Sequence, residues 1–171
     1  MENIALLGYM GSGKSTIAKI LAQKLSLKSL DLDQLIEEQE NLSVTQIFDS
    51  KGEIYFRKKE HEVLKSTLAS NHGCVLALGG GTPCYAGNGE LLERSGWKTV
   101  YLRASIGTII NRISESDSRP LISNKSHAEL RDFVAMHLFE RSFFYNQAEV
   151  IISVDDKSPE EIANLIMDNL T

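Results

Sequence analysis

Asn3–Gly8 is a short apolar run that stops at a glycine. Helical spacing begins only after the turn that follows, with Ile17, Ile20, Leu21 and Leu25 along one face. The pattern reads as strand, glycine turn, helix. Leu27–Leu32 suits a second short strand, and Gln34–Glu40 an acidic helix. Ser43-Val44-Thr45-Gln46 fits a capping box that starts another helix, and Gly52 is placed to stop it. From Glu53 to Ala69, Ile54, Phe56, Val63, Leu64 and Leu68 recur at helical intervals among charges, which predicts an amphipathic helix.

Cys74–Leu78 reads as a buried strand running directly into Gly79-Gly80-Gly81, and Thr99–Leu102 as another after Gly96-Trp97. Ile106–Ile113 and Ala128–Tyr145 are helical, separated by a polar stretch around Pro120, residues 114–126, expected to be a mobile loop. Val150–Val154 supplies the fifth strand. Ser158-Pro159-Glu160-Glu161 then combines a capping serine, proline at the first helical position and an acidic first turn. Strands alternating with helices over the whole length predict an α/β fold: parallel strands, right-handed crossovers and helices on both faces. The ligand site of such a fold lies beyond the carboxyl ends of the strands.

Composition narrows this further. With 171 residues, 42% of them hydrophobic and 24% charged, the chain is expected to be one soluble domain, 1–171. A net charge of −5 argues against a nucleic-acid-binding surface. No stretch approaches the about 18 apolar residues of a membrane span, and no charged leader precedes an apolar run, so a cytoplasmic location is expected. Cys74 and Cys84 lack metal or disulfide spacing, and His61, His72, His127 and His137 are dispersed, so these residues suggest no metal site.

The chemistry begins at Gly8-Tyr9-Met10-Gly11-Ser12-Gly13-Lys14-Ser15, which satisfies G-x-x-x-x-G-K-[ST] in full. Small residues there let backbone N–H groups turn toward phosphate oxygens at a helix N-terminus. Four fixed positions arise by chance in on the order of one chain in a hundred; here they also fall between a strand and a helix. Gly11, Ser12, Gly13, Lys14, Ser15 and Thr16 are therefore the expected nucleotide contacts, with Lys14 on the β/γ oxygens and Ser15 on magnesium.

Asp31-Leu32-Asp33 ends the second strand, whose alternation would put both carboxylates on one side. Asp31 suits magnesium, through water, and Asp33 suits an acceptor hydroxyl. The alternative is a solvated helix start with Asp33 as its cap. Gly79–Gly81 offers backbone that a ligand can approach closely, or merely a flexible loop. Arg57 and Arg141 each offer a planar fork for a carboxylate, or a surface helix charge. Arg119, in the polar loop, is placed to reach a transferring phosphoryl group on closure, or is a solvated loop charge.

Over essentially its full length the chain resembles the bacterial shikimate kinases. The resemblance rests on the phosphate loop, Asp31-Leu32-Asp33, Phe56-Arg57, the glycine triplet, Ser118-Arg119-Pro120-Leu121, and Glu140-Arg141 followed by Tyr145. It implies a three-layer P-loop kinase with a five-stranded sheet ordered 2-3-1-4-5. A substrate-binding region at about 33–60 and a lid at about 114–126 come with it. It further implies that Asp33, Arg57, Gly79, Gly80, Gly81 and Arg141 hold shikimate, while Arg119 and, more weakly, Arg112 and Lys157 contact ATP. The implied reaction moves the γ-phosphoryl of ATP to the 3-hydroxyl of shikimate, in a monomer using Mg²⁺, with Lys14, Asp33 and Arg119 catalytic. Two departures stand out: Phe143 and Phe144 where the family often has proline and leucine, and Thr82-Pro83 in place of a small pair. A gluconate kinase, acting on an open-chain acidic polyol, remains the nearest competing enzyme. A nucleotide-dependent switch or binding module competes from another class.

Overall fold

The computed structural model describes residues 2–85, 87–115 and 125–170. Among them, β1 (Ile4–Leu7), β2 (Lys28–Asp31), β3 (Cys74–Ala77), β4 (Lys98–Arg103) and β5 (Val150–Ser153) form one sheet in the order β2-β3-β1-β4-β5. Every pairing is parallel. Parallel strands need crossover connections, and among the described residues six helices lie in them: α1 (Lys14–Leu25), α2 (Leu32–Glu40), α3 (Val44–Ser70), α4 (Asn88–Ser95), α5 (Ile106–Ser114) and α6 (His127–Tyr145); α7 (Pro159–Leu170) follows the last strand.

Alternation along β1 shows how the layers form. Ile4 and Leu6 enter a core shared with Ile17 and Leu21 of α1, Ile109 of α5, Val134 of α6 and Ile162 of α7. Ala5 and Leu7 enter the opposite core with Ile36 of α2, Val63 and Leu64 of α3, and Leu92 of α4. All four β1 residues are buried, which is why the central strands read as continuous apolar runs. The expected three-layer architecture and strand order are both observed.

Local signals account for most boundaries. Ser43 and Gln46 exchange the reciprocal capping bonds that open α3. Ser126 with Glu129 does the same for α6, and Ser158 with Glu161 forms the same pair before α7. Gly52, expected to end its helix, breaks it with φ 84° and ψ 169°, yet the chain resumes a helix at once, so α3 is a kinked pair. The expected lid spans 114–126, and its residues 116–124, including Arg119, lie outside the described residues.

One expectation fails at the second strand. Asp31 is the last residue of β2, and its Oδ1 accepts from the backbone N–H of Asp33 at 3.0 Å and of Gln34 at 3.3 Å. That cap stops the strand and starts α2, so Asp33 lies in a helical first turn and strand alternation does not place it. The capping role offered for Asp33 belongs to Asp31.

The backbone at Gly52 lies in a region essentially restricted to glycine, although nothing stands within 4 Å of where a Cβ would be. Gly52→Ala should therefore lower stability by about 1–3 kcal/mol without any clash. Gly52→Asn should give no relief, because ψ is not that of a left-handed helix. Urea midpoints of the two variants check this.

Candidate active site

The phosphate loop leaves β1 through Gly8, where an added Cβ would stand 2.8 Å from the Leu102 carbonyl oxygen and 2.7 Å from Ser12 Oγ. Gly11 and Gly13 have φ of 80° and 95°, so the loop turns inward where side chains would oppose it. Lys14 folds back across the turn, donating to the carbonyls of Gly8 (2.7 Å) and Tyr9 (3.0 Å). Ser12 is fully buried, whereas Ser15 and Thr16 are exposed at the start of α1. Ser15 Oγ donates to Asp31 Oδ2 at 2.6 Å, so the two residues expected at magnesium meet. The α2 cap occupies the other Asp31 oxygen and fixes the carboxylate's orientation.

Arg112, on α5, reaches the same loop and donates to the Gly11 carbonyl at 3.0 Å. Lys157 stays on the segment between β5 and α7, donating to the Asp155 carbonyl at 3.3 Å.

The glycine triplet follows β3 beside this loop. A Cβ on Gly79 would lie 3.1 Å from Asp33 Oδ1 and 3.4 Å from Glu60 Oε2. One on Gly80 would lie 3.4 Å from Arg141 Nη1 and 3.5 Å from the Met10 backbone nitrogen; one on Gly81 would come within 2.6 Å of Arg57 Nη2. The bare backbone thus gathers Asp33, Arg57 and Arg141 against the phosphate loop. Arg57 pairs with Glu60 at 2.9 Å, and the Tyr85 ring lies 4.2 Å from its guanidinium carbon. Its Nε is buried without a hydrogen bond, its nearest carboxylate oxygen, of Glu53, lying 3.8 Å away, beyond hydrogen-bond reach. Arg141 sits over the Tyr9 ring at 5.4 Å, and the Tyr145 hydroxyl donates to the Gly80 carbonyl.

Sequence reasoning passed over Glu60, although its spacing of three from Arg57 on a helix is a pairing signal. It also left Thr82 unexplained. The Thr82 hydroxyl donates to Glu60 Oε2 at 2.8 Å, and its carbonyl accepts from Asn88 Nδ2 at 2.9 Å. Glu60, Thr82 and Asn88 are all buried, so this departure from the family pattern is a satisfied polar network that holds the triplet to α3.

Burial pushes the Asp33 carboxyl up to about 6, reinforced by the charges of Asp31 and Glu60 and opposed by Lys14. Such a group is poised near neutrality for taking a proton. The donors suited to magnesium are hard oxygens, Ser15 Oγ and Asp31, and among the described residues no larger His, Cys, Asp or Glu cluster forms a cage. Few protein ligands beside a phosphate site match how Mg²⁺ is usually held.

The fold, the loop crossed by a lysine, the carboxylate and the converging arginines define an ATP-dependent small-molecule kinase of the P-loop class. The chain belongs to the shikimate kinase family: the family model described as shikimate kinase matches residues 10–171. The shikimate kinase of Flavobacterium johnsoniae is 50% identical over 171 residues, covering 99% of each chain. That of Flavobacterium psychrophilum is 47% identical over 167 residues, covering 97% of each. The solved shikimate kinase of Bacteroides thetaiotaomicron superposes with a TM-score of 0.92 at 33% identity, over 99% of this chain and 98% of that one. That of Acinetobacter baumannii, in complex with shikimate, gives 0.90 at 29%, over 99% and 93%. The family is thus the one the sequence resembled, and not the gluconate kinases or a nucleotide switch.

Because the folded state raises the Asp33 carboxyl from 3.8 to about 6, it holds a proton that the unfolded chain releases earlier. This contribution to stability is present below about pH 4 and lost as pH rises through 6. Asp33→Asn should therefore flatten the stability profile over that window. Thermal midpoints of both proteins between pH 4 and 7 check it.

Proposed function

We propose that the chain transfers the γ-phosphoryl group of ATP to the 3-hydroxyl of shikimate, with the acceptor lying on the glycine triplet. One observation carries this placement: Arg141 Nη1 and the Met10 backbone nitrogen of the phosphate loop stand 3.4 and 3.5 Å from where a Cβ on Gly80 would be. A carboxylate ligand and a phosphate cradle therefore share one wall.

In this reading Gly11, Ser12, Gly13, Lys14, Ser15 and Thr16 hold the triphosphate, with Arg112 and Lys157 as outer contacts and Arg119 stabilising charge on the transferring group. Arg57 and Arg141 take the acceptor carboxylate as planar forks, and the backbone of Gly79, Gly80 and Gly81 takes ring hydroxyls. Asp33 orients the reacting hydroxyl and accepts its proton; ionised above about pH 6, it does so at neutrality. Lys14, now on the Gly8 and Tyr9 carbonyls, swings onto the transferring group and stabilises its charge. Mg²⁺, held by Ser15 and through water by Asp31, supplies neutralisation of the β and γ oxygens when bound.

The enzyme works in this reading as a cytoplasmic monomer on small molecules, without nucleic acid or membrane, in keeping with its net charge of −5. Among the described residues no helix is long and apolar enough to cross a membrane. Sedimentation should return a mass near 19.0 kDa; about twice that value would refute the monomer.

Coupled ADP-release kinetics test the site. Lys14→Ala should lower kcat by roughly a hundredfold or more. Arg141→Ala should raise the shikimate KM by roughly ten- to a hundredfold, the range for a hydrogen bond to a charged group. Shikimate should be turned over far faster than gluconate by the unmodified enzyme. Faster turnover of gluconate, or an unmoved shikimate KM in the Arg141 variant, would sink the placement.

A further inference from the structure

His137 has no part in the chemistry above, yet it stands where the two halves of the site meet. It lies one helical turn before Arg141 on α6, and its Nδ1 is 3.0 Å from the Tyr9 hydroxyl, a hydrogen bond whose direction follows the ring's tautomer. Tyr9 belongs to the phosphate loop, and its ring is buried to 1% exposure. A buried phenol hydroxyl requires a partner. On the other side of His137, the Phe133 ring lies with its centroid 4.2 Å away, which fixes the imidazole from α6.

Tyr9 then acts on both halves at once. Its backbone carbonyl accepts from Lys14 at 3.0 Å, while its ring carries the Arg141 guanidinium at 5.4 Å. A ring that tilts moves the surface on which Arg141 rests. Arg141 is a long side chain with much rotamer freedom to lose, and a fixed aromatic face removes part of that freedom before a ligand arrives.

We propose that the Tyr9–His137 hydrogen bond is a clasp that locks the Tyr9 ring and so positions Arg141 for the acceptor carboxylate. His137 is in this sense a positioning residue for acceptor binding. Burial and the neighbouring Arg141 hold its imidazole below the ordinary range, against the opposing pull of Glu140, so it is neutral near pH 7. A neutral ring adds no charge to repel the arginine beside it.

The inference rests on Arg141 being the carboxylate ligand, so Arg141→Ala is measured alongside. Tyr9→Phe removes one hydroxyl and keeps the ring; His137→Phe keeps a ring against Phe133 and removes the nitrogen. Each should raise the shikimate KM by about fivefold, with the MgATP KM moving less than twofold, and the double variant should be no worse than either single one. His137→Asn, whose amide offers a polar atom near the Nδ1 position, should restore most of the loss. Should His137→Phe fold poorly, Tyr9→Phe alone, read as its shikimate KM against its MgATP KM, still tests the clasp.

A raised KM in Arg141→Ala with unmoved KM values in Tyr9→Phe and His137→Phe would overturn the clasp alone. Additive losses, or equal changes in both KM values with a lowered Tm and no rescue by asparagine, would reduce His137 to a packing residue. An unmoved KM in Arg141→Ala would overturn both the clasp and the reading of Arg141.

Discussion

Neighbouring strands in this sheet end in bare glycine backbone, crowded at Gly8, Gly79 and Gly81. Gly8, just past β1, faces the Leu102 carbonyl, and Gly79–Gly81, past β3, faces Asp33, Glu60, Arg141 and Arg57. β1 and β3 are paired, so these two bare stretches of backbone lie next to each other although some seventy positions separate them in the chain. In an open parallel sheet this is the crevice beyond the strand ends where ligands bind. Bare backbone lets side chains from several helices come close, as at Gly79, where an added Cβ would stand 2.9 Å from Thr82 Oγ1 and 3.1 Å from Asp33 Oδ1. Arg57 arrives from α3, Arg141 from α6 and Asp33 from the first turn of α2.

Crowding carboxylates into such a crevice works against folding. Burial first, and repulsion from Asp31 and Glu60 after it, raises the Asp33 carboxyl. Each of the other two acids has partners that offset its charge. Asp31 takes the Ser15 hydroxyl and two backbone N–H groups, and Glu60 takes Arg57 and the Thr82 hydroxyl. The acid left least satisfied is Asp33, the one that the proposed reaction would use as proton acceptor, and in that reading stability is given up at the site of function.

Much of this was legible in the sequence, for identifiable reasons. The phosphate loop, the capping boxes at Ser43 and Ser158 and the alternation of apolar runs are local signals, each spanning a few residues. The place of Asp33 was misread because strand alternation was extended through Asp31, whose side chain caps α2 and ends the strand. Thr82 and Tyr85 carry no local signature; their partners Glu60 and Arg57 are supplied by another element. The contact of Tyr9 with His137 joins positions 128 apart, and no period or motif reports it. The family resemblance named the arginines but left open what holds each one in place.

The two acceptor arginines are held by different means, and that sets what each offers a ligand. Arg57 has the buried Glu60 carboxylate within 2.9 Å and Glu53 3.8 Å from its Nε, so much of its charge is answered before any ligand arrives, and its unbonded Nε–H offers direction more than field. Arg141 rests on an aromatic face, and among the described residues no acid pairs with it within 4 Å. A quadrupole orients a cation without neutralising it as an anion does. In the proposed placement, an anionic acceptor would find its net attraction at Arg141 and its geometry at Arg57. On the proposed clasp, His137, which bonds the ring under Arg141, would act on that attraction without touching the ligand.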